Sequence, residues 1–154
     1  EKGFTEPDPA IDLSGKDVAR KILILARESG YEMEMAEIEN DGFIPAEKLQ
    51  STGWDDLKMK LKLMDDEIEA KRSEIEKRKL KWRYMAELNG EKASVGVLEI
   101  DSTHPAFELG GTDNMVLIYS DRYPDNPLVI RGAGAGPHVT ASGVMADVMR
   151  IANI

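Results

Sequence analysis

The densest group of side chains able to do chemistry lies near the start of the chain: Glu6, Asp8, Asp12, Asp17 and Lys21. Asp17 and Lys21 are four residues apart, so on a helix both project from one face. An adjacent carboxylate can orient the lysine ammonium and hold it charged. A lysine positioned in this way can donate a proton or neutralise a developing alkoxide. The same spacing also describes an ordinary exposed ion pair, which contributes only about a few tenths of a kcal/mol. Its surroundings favour the chemical reading. The pair interrupts an otherwise very apolar segment (Ile22, Leu23, Ile24, Leu25) and follows Gly3-Phe4-Thr5-Glu6-Pro7-Asp8-Pro9, an acidic loop stiffened by two prolines. Such a combination is expected to line a cleft.

A second candidate is the run Gly132-Ala133-Gly134-Ala135-Gly136, placed after an apolar strand-like segment and before a helical one. Glycines there let a ligand or another backbone approach closely, and a following helix N-terminus favours an anion. A dinucleotide fingerprint also needs a later strand with an acidic residue about 20 positions on, which the remaining sequence does not supply. A tight strand-to-helix turn explains the run equally well. His104 and His138 have no partner at metal-ligand spacing, so no metal site is expected. Cysteine is absent, which removes disulfides, thiolate sites and a cysteine nucleophile. Redox chemistry would therefore require a cofactor.

Stepping outward from these residues, Ser14 with Asp17 resembles a capping box opening a helix over 18–27 that ends near Gly30 and is nearly surrounded by protein. Tyr31, Met33 and Met35 alternate with glutamates as in a short strand, closed by an Asn40-Asp41-Gly42 turn. Trp54, Leu57, Leu61, Met64, Ile68 and Ile75 recur at helical spacing and predict one long amphipathic helix over 54–79. Trp82, Tyr84, Ala86 and Leu88 then alternate with charges, and with Asn89-Gly90 and the segment 93–100 they predict an antiparallel hairpin. Strands over 115–119 and 128–130, separated by a turn over 121–127, bring the sheet to at least four strands. A closing helix over 139–152 carries Val144, Val148 and Ile151 along one side. The expected fold is α+β: a mixed, largely antiparallel sheet with helices packed on one face.

A chain of 154 residues suffices for one domain with a real core, and its net charge of −9 argues against nucleic acid as a partner. Neither a membrane-spanning run nor a secretion signal is evident, and the lack of cysteine suits the reducing cytoplasm.

Residues 3–9, with Asp12-Leu13-Ser14-Gly15 and Asp17-Val18-Ala19-Arg20-Lys21, closely resemble the signature of homoserine dehydrogenases. The resemblance continues at the other end in Gly132 to Gly136, Val139-Thr140-Ala141, Gly143-Val144 and Asp147, while the middle matches in layout more than in residues. It implies interconversion of L-homoserine and L-aspartate 4-semialdehyde with NADP or NAD, on the route to threonine, methionine and isoleucine. It further implies that Glu6 holds the substrate amino group and Asp12 lines the same pocket. Lys21, held by Asp17, then binds the substrate and assists proton transfer at its oxygen, and Gly136 and Thr140 approach the nicotinamide. Phe4 stands where many members carry tyrosine, so that hydroxyl contact is absent. Ala10 and Ile11 replace a more polar pair.

By this resemblance residues 1–131 form the substrate-binding and catalytic domain, and 132–154 a glycine-rich turn and helix returning to a Rossmann domain outside this sequence. The chain is then expected to be inactive alone and to form a homodimer or higher homo-oligomer. The exposed face of its last helix would favour self-association. The competing reading is a regulatory or oligomerisation module that senses a metabolite. Replacing Lys21 by alanine separates the two, because only the catalytic reading requires turnover to be lost.

Overall fold

The computed structural model describes residues 9–51, 53–134 and 136–153, and these fall into two compact units, 9–102 and 103–153.

The first unit opens with α1 (Pro9–Leu13) and α2 (Lys16–Glu28). Ala19, Ile22, Leu23 and Ala26 of α2 are buried together with Met33, Ile38, Ala93 and Val95. The helix is amphipathic and not surrounded: Ile24 is 60% and Leu25 42% exposed, because the 3.6-residue period turns them away from the sheet. The expected capping box also fails. Gly15, at φ +76°, precedes the helix with no side-chain cap. The Ser14 hydroxyl instead donates to the Ile11 carbonyl at 2.8 Å, and the Asp17 carboxylate pairs with Lys21.

The segment read as a strand over 31–35 runs into a 3-10 turn, Met35–Glu37, because Glu34 and Glu37 cap each other's backbone amides across it. Only Glu39–Asn40 (β1) extends, lying parallel to the later strand with Asn40 opposite Val95. Next come α3 (Ala46–Leu49) and then two helices where one was expected, α4 (Trp54–Lys62) and α5 (Asp65–Lys77). The break falls at Leu63, 85% exposed, and Met64. Asp65, Asp66 and Glu67 form an acidic first turn that suits a new helix N-terminus. Ile44, Leu49 and Leu57 are buried as a second core cluster, with Leu13, Leu61, Met64 and Ile68 packed on it.

The hairpin forms as the alternation predicts. β2 (Lys81–Asn89) pairs antiparallel with β3 (Lys92–Ile100) through a two-residue turn, with Gly90 at φ +60° where a side chain would be strained. Tyr84, Ala86 and Leu88 lie opposite Val97, Val95 and Ala93, so all six side chains share the face on which α2 packs. The sheet order is β1-β3-β2.

In the second unit, the His104 Nδ1 accepts the Ala106 N–H at 3.1 Å and caps a 3-10 turn, Pro105–Glu108, which gives that histidine a structural role. β4 (Asp113–Ser120) and β5 (Tyr123–Ala133) then pair as a separate two-stranded sheet. β5 begins much earlier than expected and absorbs Pro124 and Pro127, leaving only Asp121 and Arg122 to turn. A two-stranded ribbon has an unpaired edge on each strand, where proline's missing N–H costs no ladder bond. α6 (Pro137–Ala152) closes the unit, and none of its residues is buried. The α+β class and the largely antiparallel, mixed pairing hold; the strands, however, form two sheets instead of one.

Candidate functional site

α2 is fixed by its buried stripe on the β2–β3 face, and this leaves Asp17, Lys21 and Ile24 on the side turned away from that core. Asp17 Oδ2 and Lys21 Nζ are 2.7 Å apart, with the two side chains 36% and 54% exposed. A contact that short is a charge-assisted hydrogen bond, and it restricts the ammonium to one part of the helix surface. The partial exposure lets the ammonium meet a ligand oxygen as well. Arg20 is exposed beside them.

The backbone just before the pair is held from the sheet. The Asn40 side-chain amide donates to the Ser14 carbonyl at 2.9 Å, and the Tyr84 hydroxyl donates to Asn40 Oδ1 at 3.4 Å. Burial, with a smaller contribution from the Asp41 carboxylate, raises the Tyr84 phenol above its ordinary pKa, so it stays a protonated donor at neutral pH. Gly15 is buried at the junction, and a Cβ there would meet the Tyr84 hydroxyl and Asn40 Oδ1. Neither Asn40 nor Tyr84 stands out in the sequence as a functional residue. The nearest signal is Ser14-Gly15 ahead of the charged pair, a glycine directly after the residue expected to cap the helix.

The other expected site residues are distributed as follows. Asp12 lies within α1, and Glu6 lies outside the described residues. Gly136 precedes α6 at φ +124°, and its carbonyl accepts both the Thr140 amide at 3.1 Å and the Thr140 hydroxyl at 3.2 Å. Gly134 lies against the Asn114 side chain, which fills the space a Cβ would need, and its amide donates to the Thr112 carbonyl at 2.9 Å. The structure thus brings Asp17 together with Lys21, and Gly136 together with Thr140, each pair within its own unit. Among the described residues no group of three or more His, Cys, Asp or Glu could hold a metal ion, and no helix is long and apolar enough to cross a membrane.

The α+β fold is shared with solved dehydrogenase structures. A Staphylococcus aureus homoserine dehydrogenase superposes with a TM-score of 0.68 over 97% of this chain and 33% of that one, at 21% identity, a likeness of fold. A Candida auris protein of unknown function matches more tightly, with a TM-score of 0.87 and 37% identity over 99% of this chain and 43% of its own. The homoserine dehydrogenase family model matches residues 1–149, and the chain belongs to that family. Its relatives include a homoserine dehydrogenase of Paracoccidioides brasiliensis, 40% identical over 97% of this chain. Another is a bifunctional aspartokinase/homoserine dehydrogenase of Haemophilus influenzae, 38% identical over 97% of this chain. The chain spans 41% of the length of the first and 18% of the second.

Proposed function

We propose that this chain supplies the substrate side of a homoserine dehydrogenase, an oxidoreductase that interconverts L-homoserine and L-aspartate 4-semialdehyde with NADP or NAD. The observation that carries the reading is the Asp17–Lys21 pair, held at 2.7 Å within the stretch that the family model matches. Reduction of the aldehyde requires hydride at carbon and a proton at oxygen. Lys21, oriented by Asp17, meets the forming alkoxide, stabilises its charge and assists proton transfer; in the reverse direction it assists removal of the hydroxyl proton. Glu6 accepts the substrate ammonium, and Asp12 lines the same pocket.

The nicotinamide cofactor supplies the hydride when bound. We assign its main binding to a further domain outside this sequence and place Gly136 and Thr140 at the nicotinamide side. In that division residues 1–131 serve the substrate, 132–154 return to the nucleotide domain, and the chain alone is inactive. A glycine at 136 leaves room for close approach, and nothing lies within 4 Å of where its Cβ would be. The Thr140 hydroxyl is spent on the Gly136 carbonyl as donor, so toward a cofactor it offers only its lone pairs. The partners proposed are a small amino-acid substrate and a second copy of the protein, in the cytoplasm, within the aspartate route to threonine, methionine and isoleucine.

The test is homoserine-dependent reduction of NADP and NAD by the full-length natural protein, beside a panel of other amino-acid alcohols. Turnover confined to homoserine supports the reading. Turnover on a different alcohol moves it to another semialdehyde, and none with either cofactor favours a regulatory or oligomerisation module.

A further inference from the structure

We propose that Asn40 and Tyr84 are positioning residues for the Asp17–Lys21 pair, gripping the Ser14-Gly15 turn from which α2 starts; this deepens, and rests on, the reading of Lys21 as the proton-handling group.

The N-cap residue of α2 is glycine and brings no side-chain cap, and the Ser14 hydroxyl oxygen accepts the Lys16 amide only at 3.4 Å. Two buttresses from the sheet side hold it instead. On one side the Asn40 amide, at the end of β1, grips the Ser14 carbonyl at 2.9 Å, and the Tyr84 hydroxyl, rising from β2, holds the other end of that amide at 3.4 Å. On the other side the Ile44 amide donates to the Leu13 carbonyl at 3.4 Å, and Gly42 lies so close that a Cβ there would sit 3.1 Å from the Ser14 oxygen. Gly15 is pressed flush against Asn40 and Tyr84, with no room for a side chain.

Asp17 follows Gly15 by two residues, and Lys21 lies one turn further on. Any displacement of the turn therefore moves the carboxylate that orients the ammonium. Small displacements matter greatly for a group that must meet a reacting atom within hydrogen-bond reach. The roles of the two ends of Asn40 are distinct: its N–H₂ does the gripping, and its carbonyl oxygen is what Tyr84 orients. This makes the two functions separable by substitution. Asn40→Asp keeps an acceptor for Tyr84 but sets a carboxylate against the Ser14 carbonyl. Tyr84→Phe keeps the ring and its packing but removes the orienting hydroxyl.

The experiment uses the full-length natural protein with steady-state kinetics and amide hydrogen exchange on the same preparations. Asn40→Asp is expected to lower kcat for homoserine at least tenfold, with the KM for the nicotinamide cofactor within twofold of wild type. Tyr84→Phe is expected to lower kcat about threefold. Exchange over 14–19 is expected to quicken in both, with the β2–β3 hairpin unchanged. Gly15→Ala should also lower kcat, and Tyr84→Phe should restore part of that loss by vacating the space the new methyl needs. A folded Asn40→Asp protein with unchanged kcat overturns the proposal, as does a uniform fall in hairpin protection, which marks a general stability role. Should the wild type fail to oxidise homoserine, that failure falls on the functional reading. Exchange over 14–19 then decides the grip by itself: unchanged protection in Asn40→Asp rejects it.

Discussion

The two units of the chain solve the problem of burial differently. Residues 9–102 make cores of their own: every buried apolar residue among the described ones except Ala106 lies there. Residues 103–153 pair two strands and form a sixteen-residue helix, yet Val144, Met145, Val148, Met149 and Ile151 of α6 are all more than half exposed. One region is therefore held by packing and the other largely by backbone hydrogen bonds. The charged pair belongs to the packed region, where α2 is locked to the sheet and a lysine can be held in place. A site built on such a rigid element is more precise than one on a loop. The glycine turn belongs to the open region, whose apolar helix face is what a second protein surface would cover.

The largest effect is expected in the buried core of the first unit. Leu57 is 1% exposed, and Leu57→Ala should cost about 2–5 kcal/mol in urea unfolding. Val148→Ala in α6 should cost no more than about 0.5 kcal/mol, and a cost like that at Leu57 would show that α6 is covered after all. Gly15→Ala comes next. A left-handed conformation costs a residue with a Cβ about 1–2 kcal/mol, before the collision with Tyr84 and Asn40 is added. A melting temperature equal to wild type would mean that the turn is not pinned.

A smaller effect is expected on assembly. Val148→Asp should shift sedimentation of this chain toward monomer while leaving its circular dichroism unchanged; a wild type already monomeric at high concentration would count against the exposed face as a self-association surface. The smallest effect concerns pH. The Tyr84 phenol is raised above its ordinary value of about 10, so the folded state holds that proton more tightly than the unfolded one. The resulting stability is fully present below about pH 10 and is lost as pH climbs through the raised folded value, and Tyr84→Phe should flatten that alkaline decline.

Much of the packed region could be read from sequence because its signals are local. The alternation Trp82, Tyr84, Ala86, Leu88 ahead of Asn89-Gly90 yields the hairpin, and the spacing of Asp17 and Lys21 yields the pair. The long-helix expectation failed because Leu61, Met64 and Ile68 keep facing one core across the break, which hides it from periodicity. The acidic triplet at 65–67 was the available sign of a new helix start. The strand expected over 31–35 lost to a reciprocal cap between Glu34 and Glu37, and the prolines of β5 read as a turn because proline usually ends strands. Asn40 and Tyr84 were beyond such reading. Asn40 meets a carbonyl 26 residues away, and Tyr84 meets Asn40 across 44 residues, so only the folded chain brings them to the site.

The most direct test of the central claim is the initial rate of homoserine oxidation by the full-length natural protein carrying Lys21→Ala, folded as wild type. Loss of a positioned proton-transfer group predicts a fall in kcat of roughly 10²- to 10⁴-fold. A variant that keeps most of the wild-type rate would exclude Lys21 from proton transfer and leave the Asp17–Lys21 pair an ordinary ion pair on the surface of α2.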